Sequence, residues 1–125
     1  MGSSSVAVVA RAPEASARLR SLLWTTFACW SCDADRLDDA ALVLSELVGN
    51  AVRHGEGDTM RVRLHRNGDV MRIGVEDASD KRPEPREPSF EAESGRGMLI
   101  IDALSSRWGC DPVDVGKVVW AEVPC

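Results

Sequence analysis

The stretch RLDDAALVLSELVGNAVRHG, residues 36–55, carries the strongest pattern in the chain. Leucine, valine and alanine recur there at steps of three and four residues, which predicts a helix with one buried stripe. Asp33 or Asp35 can cap its start, and Gly55 is a common type of helix stop. We therefore expect a long amphipathic helix that packs on the core of the domain.

Polar side chains occupy the other side of this helix. Asp39, Glu46, Asn50 and Arg53 fall together there, at about 100° per residue. A glutamate can act as a general base towards a hydroxyl, and an amide oxygen is a neutral ligand for a hard cation such as Mg²⁺. A solvated helix face would carry similar residues, so both interpretations remain open for each residue taken alone.

Strand and helix patterns surround this segment. Short alternating runs predict strands, an Asn67-Gly68 pair predicts a hairpin turn, and two further apolar segments predict helices. The predicted strands cover residues 6–9, 59–65, 70–75, 107–113 and 117–123, and the other helices cover residues 14–30 and 95–104. The pattern predicts an α+β fold, a two-layer sandwich with about three helices on one face of a mainly antiparallel mixed sheet.

Length and charge narrow the class of protein. A chain of 125 residues predicts a single domain over residues 1–125. Its net charge of −5 argues against direct nucleic-acid binding, and its apolar runs are too short for a membrane span. The first residues lack the pattern of a signal peptide, so we expect a cytoplasmic protein.

Four cysteines allow three alternatives: a zinc site, disulfides or reduced thiols. Cys29 and Cys32 have the spacing of half a zinc site, but no second pair follows at a suitable distance. Two disulfides are possible on count alone. For a cytoplasmic chain, reduced thiols are the expected state of Cys29, Cys32, Cys110 and Cys125.

Two further segments carry candidate chemistry. Asp77 ends a strand, where a carboxylate could accept a hydrogen bond from an exocyclic amine. Residues Gly95, Arg96, Gly97 and Met98 place glycines at a predicted helix start, where N–H groups and the helix dipole favour phosphate. Between them, residues 78–94 are rich in proline and charge and predict a loop. Alone, Asp77 could be a turn residue and the glycines a simple junction.

Together these motifs resemble a known family. LSELVGNAVRHG, VEDAS and SGRGMLIIDALSSRWG, followed by GKVVWAEV, are similar to Bergerat-fold (GHKL) ATP-binding domains. Within them, the chain resembles the actinobacterial short forms of the anti-sigma factor serine/threonine-protein kinases. The resemblance covers nearly the whole chain, and it implies that residues 78–94 form an ATP lid.

The resemblance also implies roles for the motif residues, with ATP and Mg²⁺ as cofactors. Glu46 would be the catalytic base, Asn50 the magnesium ligand, and Arg53 a phosphate contact. Asp77 would read the adenine amino group. The remaining expected nucleotide contacts are Ser79, Gly95, Arg96, Gly97 and Met98.

Two positions depart from the family pattern. The aspartate box is Asp77-Ala78-Ser79 and lacks the usual glycines. Val118 stands where the family commonly has a threonine, which implies the loss of a hydroxyl near the adenine.

The resemblance implies a protein kinase that phosphorylates a STAS-type anti-anti-sigma partner and sequesters a sigma factor. A homodimer is a further assembly that it suggests. The alternative is a non-catalytic regulator that uses ATP only as a structural ligand, or not at all, and acts by sequestering its partner. The glutamate at position 46 favours the kinase, whereas Val118 and the missing glycines favour the alternative.

Overall fold

The structure is a computed structural model that describes residues 4–28, 32–79 and 92–125. In chain order the described elements are β1 (Ser4–Ala10), α1 (Ala15–Ala28), α2 (Ala34–His54), β2 (Thr59–Asn67), β3 (Val70–Asp77), α3 (Ala92–Leu104), β4 (Arg107–Pro112) and β5 (Lys117–Pro124). Helices and strands form separate layers, so the predicted α+β sandwich is confirmed. Most of the predicted loop, residues 80–91, lies outside the described residues, as does Cys29.

The strands form one sheet in the order β1-β2-β3-β5-β4. Every pairing between described strands is antiparallel, so the expectation of a mixed sheet is wrong. The reason is the path after β3: α3 carries the chain past one strand position to β4, and the β4–β5 hairpin returns beside β3 in the antiparallel sense. Between β2 and β3, Gly68 has a φ of 64°, as a tight hairpin turn requires.

The helices pack on one face of this sheet. α1 contacts β1 and β2, α2 contacts β3 and β5, and α3 contacts β4. The strand residues that point to this face are buried and apolar, with the alternation expected of a half-buried sheet. They include Met60, Val62, Leu64, Met71, Ile73, Val75, Val119, Ala121 and Val123.

α2 is the central helix of the helical layer. Asp33 caps it, because the side chain of Asp33 accepts a hydrogen bond from the backbone N–H of Asp35 at 3.0 Å. The helix packs against α1 on one side and α3 on the other. Its buried surface is therefore wider than the single predicted stripe and includes Asn50 as well as Leu47. No helix among the described residues is long and apolar enough to cross a bilayer.

A disulfide joins the start of α2 to the end of β5. Cys32 and Cys125 are bonded, with their Cα atoms 4.9 Å apart, although 93 positions separate them in sequence. The expectation that these two residues are reduced thiols is wrong in this structure. The reason is that β5 runs beneath α2 and ends beside Cys32, a proximity that sequence spacing does not reveal. Cys110 is buried in β4.

An ionic cluster stabilises the helix-free face of the sheet. Glu122 accepts hydrogen bonds from Arg107 at 2.5 Å and from Arg72 at 3.1 Å. The guanidinium groups of Arg72 and Arg107 lie 4.0 and 5.3 Å from the centre of the Trp120 ring. The hydrogen bond from Arg107 is the main cause that lowers the pKa of Glu122 below its ordinary value, against the opposing effect of burial.

We expect Arg107→Met to lower the free energy of unfolding by a small amount at pH 7, because Glu122 loses the hydrogen bond that Arg107 donates. Because the pKa of Glu122 is lowered in the folded state, its ion pair stabilises the protein above the unfolded-state pKa. That contribution is lost as the pH falls through the folded-state pKa, so the difference from wild type should shrink towards pH 3. Urea unfolding of the wild type and the variant at the two pH values measures this difference in the free energy of unfolding. Arg63→Met, on the same face of the sheet, is the control. An equal difference at both pH values would contradict the assignment to Glu122.

Candidate functional site

Three polar side chains of α2 converge on one glycine of α3. A Cβ atom added at Gly97 would lie 2.9 Å from Glu46 Oε2, 3.7 Å from Asn50 Oδ1 and 3.9 Å from Arg53 Nη2. Arg53 Nη2 also donates a hydrogen bond to Asn50 Oδ1 at 3.5 Å. The close approach of α3 therefore depends on a residue without a side chain. The structure brings Glu46, Asn50, Arg53 and Gly97 together.

Asn50 is 8% exposed, which excludes a solvated helix face as the explanation for this residue. Its Nδ2 donates to the sulfur of Met98 at 3.0 Å, a weak acceptor for a buried amide. This contact holds the amide so that Oδ1 lies on the side of Gly97 and Arg53. Met98 is buried and supports Asn50 through its side chain. Glu46 is half-buried and Arg53 is exposed.

The start of α3 differs from the prediction. The helix begins at Ala92, three residues before the predicted start at Gly95. Alanine and glutamate at positions 92 and 93 are good helix formers, so the helix extends into the predicted loop. Only the first four N–H groups of a helix lack an intrahelical partner, and Gly97 is the sixth residue of α3, so its N–H lies within the helix. Gly97 therefore provides space rather than a free N–H donor. The side chain of Arg96 lies outside the described part of the structure.

Asp77 is held by a dense set of donors. Its Oδ1 accepts from the backbone N–H of Ser79 at 2.7 Å and, at a longer 3.4 Å, from that of Glu56. The Nζ of Lys117 lies 3.1 Å from Oδ1 and 3.0 Å from Oδ2. A Cβ atom at Gly55 would lie 2.8 Å from the Asp77 carboxyl carbon, so the end of α2 lies directly against this carboxylate. Ser79 is buried, and its backbone orients Asp77.

The expected role for position 118 is wrong. In the register of β3 and β5, Asp77 pairs with Lys117, whereas Val118 pairs with Glu76. Side chains alternate between sheet faces along a strand, so Val118 points away from Asp77. It lines a groove on the helix-free face together with Trp120. A hydroxyl at this position would not lie near Asp77.

Lys117 is the site residue that the motifs did not identify. The alternation of Val119, Ala121 and Val123 towards the core would have placed Lys117 on the same face, but its position opposite Asp77 follows from the pairing of β3 with β5, which the sequence pattern did not indicate. The turn before it is tight, because Gly116 has a φ of 98° and its backbone contacts Asp77 and Ala78. A Cβ atom at Gly116 would lie within 2.8 Å of the backbone of Asp77 and Ala78, so a larger residue does not fit in this turn without a backbone shift.

The two groups of polar residues lie along one helix. Asp77 packs at Gly55, just past the end of α2, and Glu46 precedes Gly55 by roughly 13 Å along the helix axis at 1.5 Å per residue. The site is thus elongated, with a buried carboxylate at one end and a carboxylate, an amide and a guanidinium at the other.

The donors near Gly97 fit a hard cation. Glu46 Oε2 and Asn50 Oδ1 are both within 4 Å of the Cβ position at Gly97. Mg²⁺ usually takes one or two protein oxygens and fills its other positions with water and phosphate oxygens. In the described residues there is no group of three or more His, Cys, Asp or Glu that could hold a metal without such help.

Comparison with known proteins gives the family and the fold. The family model for the histidine kinase-like ATPase domain matches residues 9–123. The RsbU and RsbW domains of Rv1364c from Mycobacterium tuberculosis share the fold with a TM-score of 0.74 and 20% identity, over 98% of this chain and 32% of that chain. This chain therefore spans about a third of the length of that chain. No curated protein sequence matches this chain.

Two histidine kinases have a more distant structural similarity. The histidine kinase domain of the blue-light activated histidine kinase EL346 from Erythrobacter litoralis gives a TM-score of 0.51 at 19% identity, over 93% of this chain and 61% of that one. The Acinetobacter baumannii histidine kinase AdeS gives 0.53 at 14% identity, over 96% of this chain and 67% of that one. At these identities the likeness concerns the fold alone.

Proposed function

Because the chain belongs to the histidine kinase-like ATPase domain family, we propose that it is an ATP-dependent serine/threonine protein kinase and anti-sigma factor. Its substrate would be a STAS-type anti-anti-sigma protein, and it would sequester a sigma factor. The observation that carries this proposal is the convergence of Glu46, Asn50 and Arg53 on Gly97. The likeness in fold to the RsbU and RsbW domains of Rv1364c supports the choice of partners.

Phosphoryl transfer needs mainly positioning and charge neutralisation. Glu46 takes the proton from the attacking Ser or Thr hydroxyl of the partner protein. The hydroxyl oxygen then bonds to the γ-phosphorus while the bond to the β-phosphate oxygen breaks, which leaves ADP. Asn50 Oδ1 would hold Mg²⁺, which would neutralise charge on the phosphates, and the exposed guanidinium of Arg53 would add a positive charge beside them.

In this proposal, the base of the nucleotide lies at the other end of α2. Asp77 accepts a hydrogen bond from the adenine amino group, and the N–H of Ser79 fixes the carboxylate for that contact. The base would lie at Asp77 and the terminal phosphate near Glu46. The nucleotide would therefore extend along the last turns of α2. Gly97 leaves room for the phosphates, because any side chain there would enter the space beside Glu46 and Asn50.

One observation favours a second candidate function. Both oxygens of Asp77 are engaged by Lys117, so an incoming adenine does not meet an unpaired carboxylate. If this ion pair excludes adenine, the chain is a non-catalytic regulator that acts by sequestering its partner. The intact arrangement around Glu46 favours the kinase over this alternative.

Incubation with γ-labelled ATP, Mg²⁺ and a STAS-domain protein tests the proposal. The label is expected on the STAS protein, and replacing its acceptor serine with alanine should remove it. ATP binding without any transfer would contradict the kinase assignment and favour the sequestering regulator. A parallel reaction with the Asp38→Ala variant, altered at an exposed acidic residue of the same helix, should retain full labelling.

A further inference from the structure

Lys117 and Asp77 form the most buried ion pair among the described residues. Their side chains are 8% and 2% exposed, and the Lys117 Nζ lies 3.0 Å from Asp77 Oδ2. A buried ion pair is weak evidence for stability, because desolvation of both charges offsets their attraction. Its position at the end of the site therefore calls for an explanation other than stability alone.

The two oxygens of Asp77 are not equivalent. Oδ1 accepts from Lys117, from the N–H of Ser79 and, at longer range, from the N–H of Glu56. Among the described residues, Oδ2 accepts only from Lys117. A carboxylate oxygen has two lone pairs, so Oδ2 retains one acceptor position. Oδ1 anchors the group and Oδ2 remains able to bind a ligand.

Lys117 retains binding capacity in the same place. An ammonium group has three N–H donors, and the described contacts of Lys117 use two, both on Asp77. The pair thus offers one acceptor and one charged donor next to each other. A carboxamide offers the same couple, and in DNA recognition it pairs in a bidentate way with N6 and N7 of adenine. The other edge of the ring presents an equivalent couple, the N6 amino donor beside the N1 acceptor.

We propose that Lys117 reads the adenine ring directly, with its Nζ donating to N1 while Asp77 Oδ2 accepts from the N6 amino group. This inference rests on the proposed function, since it needs ATP in this site. The ion pair is then part of the base pocket and does not have to break when ATP binds. Guanine presents an acceptor at position 6 and a donor at N1, the reverse order, so it would place its carbonyl against Asp77.

Atom-substituted nucleotides test the contact without altering the protein. Replacing N1 by C–H in 1-deaza-ATP removes the acceptor, and the wild-type protein should bind it about tenfold or more weakly than ATP, because a hydrogen bond from a charged donor is lost. 7-deaza-ATP, altered on the other side of the ring, should bind like ATP. Calorimetric titration in Mg²⁺ gives the three dissociation constants. Equal affinities for ATP and 1-deaza-ATP would overturn the inference.

The Lys117→Met variant assigns the contact to its residue. Its affinity for ATP should fall about tenfold, and the ratio between ATP and 1-deaza-ATP should fall to about one. Arg63→Met removes one positive charge from the opposite sheet face and should keep the wild-type ratio. If Lys117→Met shows the same ratio of ATP to 1-deaza-ATP affinity as the wild type, or binds ATP more tightly, the inference is overturned. Lys117 would then be a counter-ion only.

These outcomes are separate from failure of the proposed function. Circular dichroism would show whether Lys117→Met folds. If it does not, the comparison of ATP with 1-deaza-ATP on the wild-type protein still tests the contact to N1. Absence of ATP binding by the wild-type protein would overturn the proposed function and this inference with it. Normal ATP binding with insensitivity to the N1 substitution would overturn only the role of Lys117.

Discussion

Replacing Glu46 with alanine should slow phosphoryl transfer by about 10²–10⁴-fold and leave Mg-ATP binding nearly unchanged. The variant removes the carboxylate that lies beside Gly97, while Asn50 and Arg53 remain in place. Loss of a general base acts on the transition state and not on nucleotide affinity. Single-turnover transfer to a STAS protein and calorimetry with Mg-ATP measure the two quantities.

We expect Asn50→Ala to affect mainly Mg-ATP binding, the opposite of the pattern expected for Glu46→Ala. It removes the oxygen that we assign to Mg²⁺, so Mg-ATP affinity should fall while metal-free ATP is affected much less. Asp38→Ala, at an exposed position of α2, controls for general changes in the helix. A normal transfer rate in Glu46→Ala would remove Glu46 from its role as the base.

Breaking the disulfide should lower the free energy of unfolding by about 4 kcal/mol, since the cross-link closes a loop of 93 positions. The constraint acts mainly on the unfolded chain, so the folded structure should change little. Urea unfolding of wild type with and without reductant measures the loss, and the Cys32→Ser/Cys125→Ser variant should match the reduced protein. That variant should also be insensitive to reductant.

A thiol assay identifies the outcome that would contradict this assignment. If wild-type protein has the same number of reactive thiols in the denatured state before and after reduction, the disulfide is not formed. Equal stability of the wild type and the double variant in the absence of reductant would lead to the same conclusion.

The local pattern of α2 was sufficient to predict this helix, its ends and its main buried stripe. Its apolar spacing, the cap at Asp33 and the stop at Gly55 all act within a few residues of sequence. The burial of Asn50 was not predictable in this way, because it arises from α3, which packs on α2 from 48 positions further along the chain at Met98.

The errors concern contacts between distant segments. Val118 was assigned by its place in a motif, but the strand register turns it to the helix-free face and turns Lys117 towards Asp77. Cys32 and Cys125 meet because β5 ends beside the start of α2, which spacing alone does not indicate. The direction of β4 and β5 depended on the path through α3, so the sheet was wrongly expected to be mixed.

For the candidate site, the residue types were predictable and their geometry was not. Glu46, Asn50 and Arg53 share a face through helix periodicity alone. Their approach to Gly97 is a tertiary contact, and it explains why this position lacks a side chain better than the predicted N–H donor does.

The central claim is that one nucleotide lies along α2, with its base at Asp77 and its phosphates beside Asn50 and Gly97. A crystal structure with Mg²⁺ and a non-hydrolysable ATP analogue tests it most directly. The claim predicts the N6 amino group within hydrogen-bond distance of Asp77 Oδ2 and the metal within about 2.1 Å of Asn50 Oδ1. A nucleotide bound elsewhere, for example in the groove beside Val118 and Trp120 on the helix-free face, would contradict it.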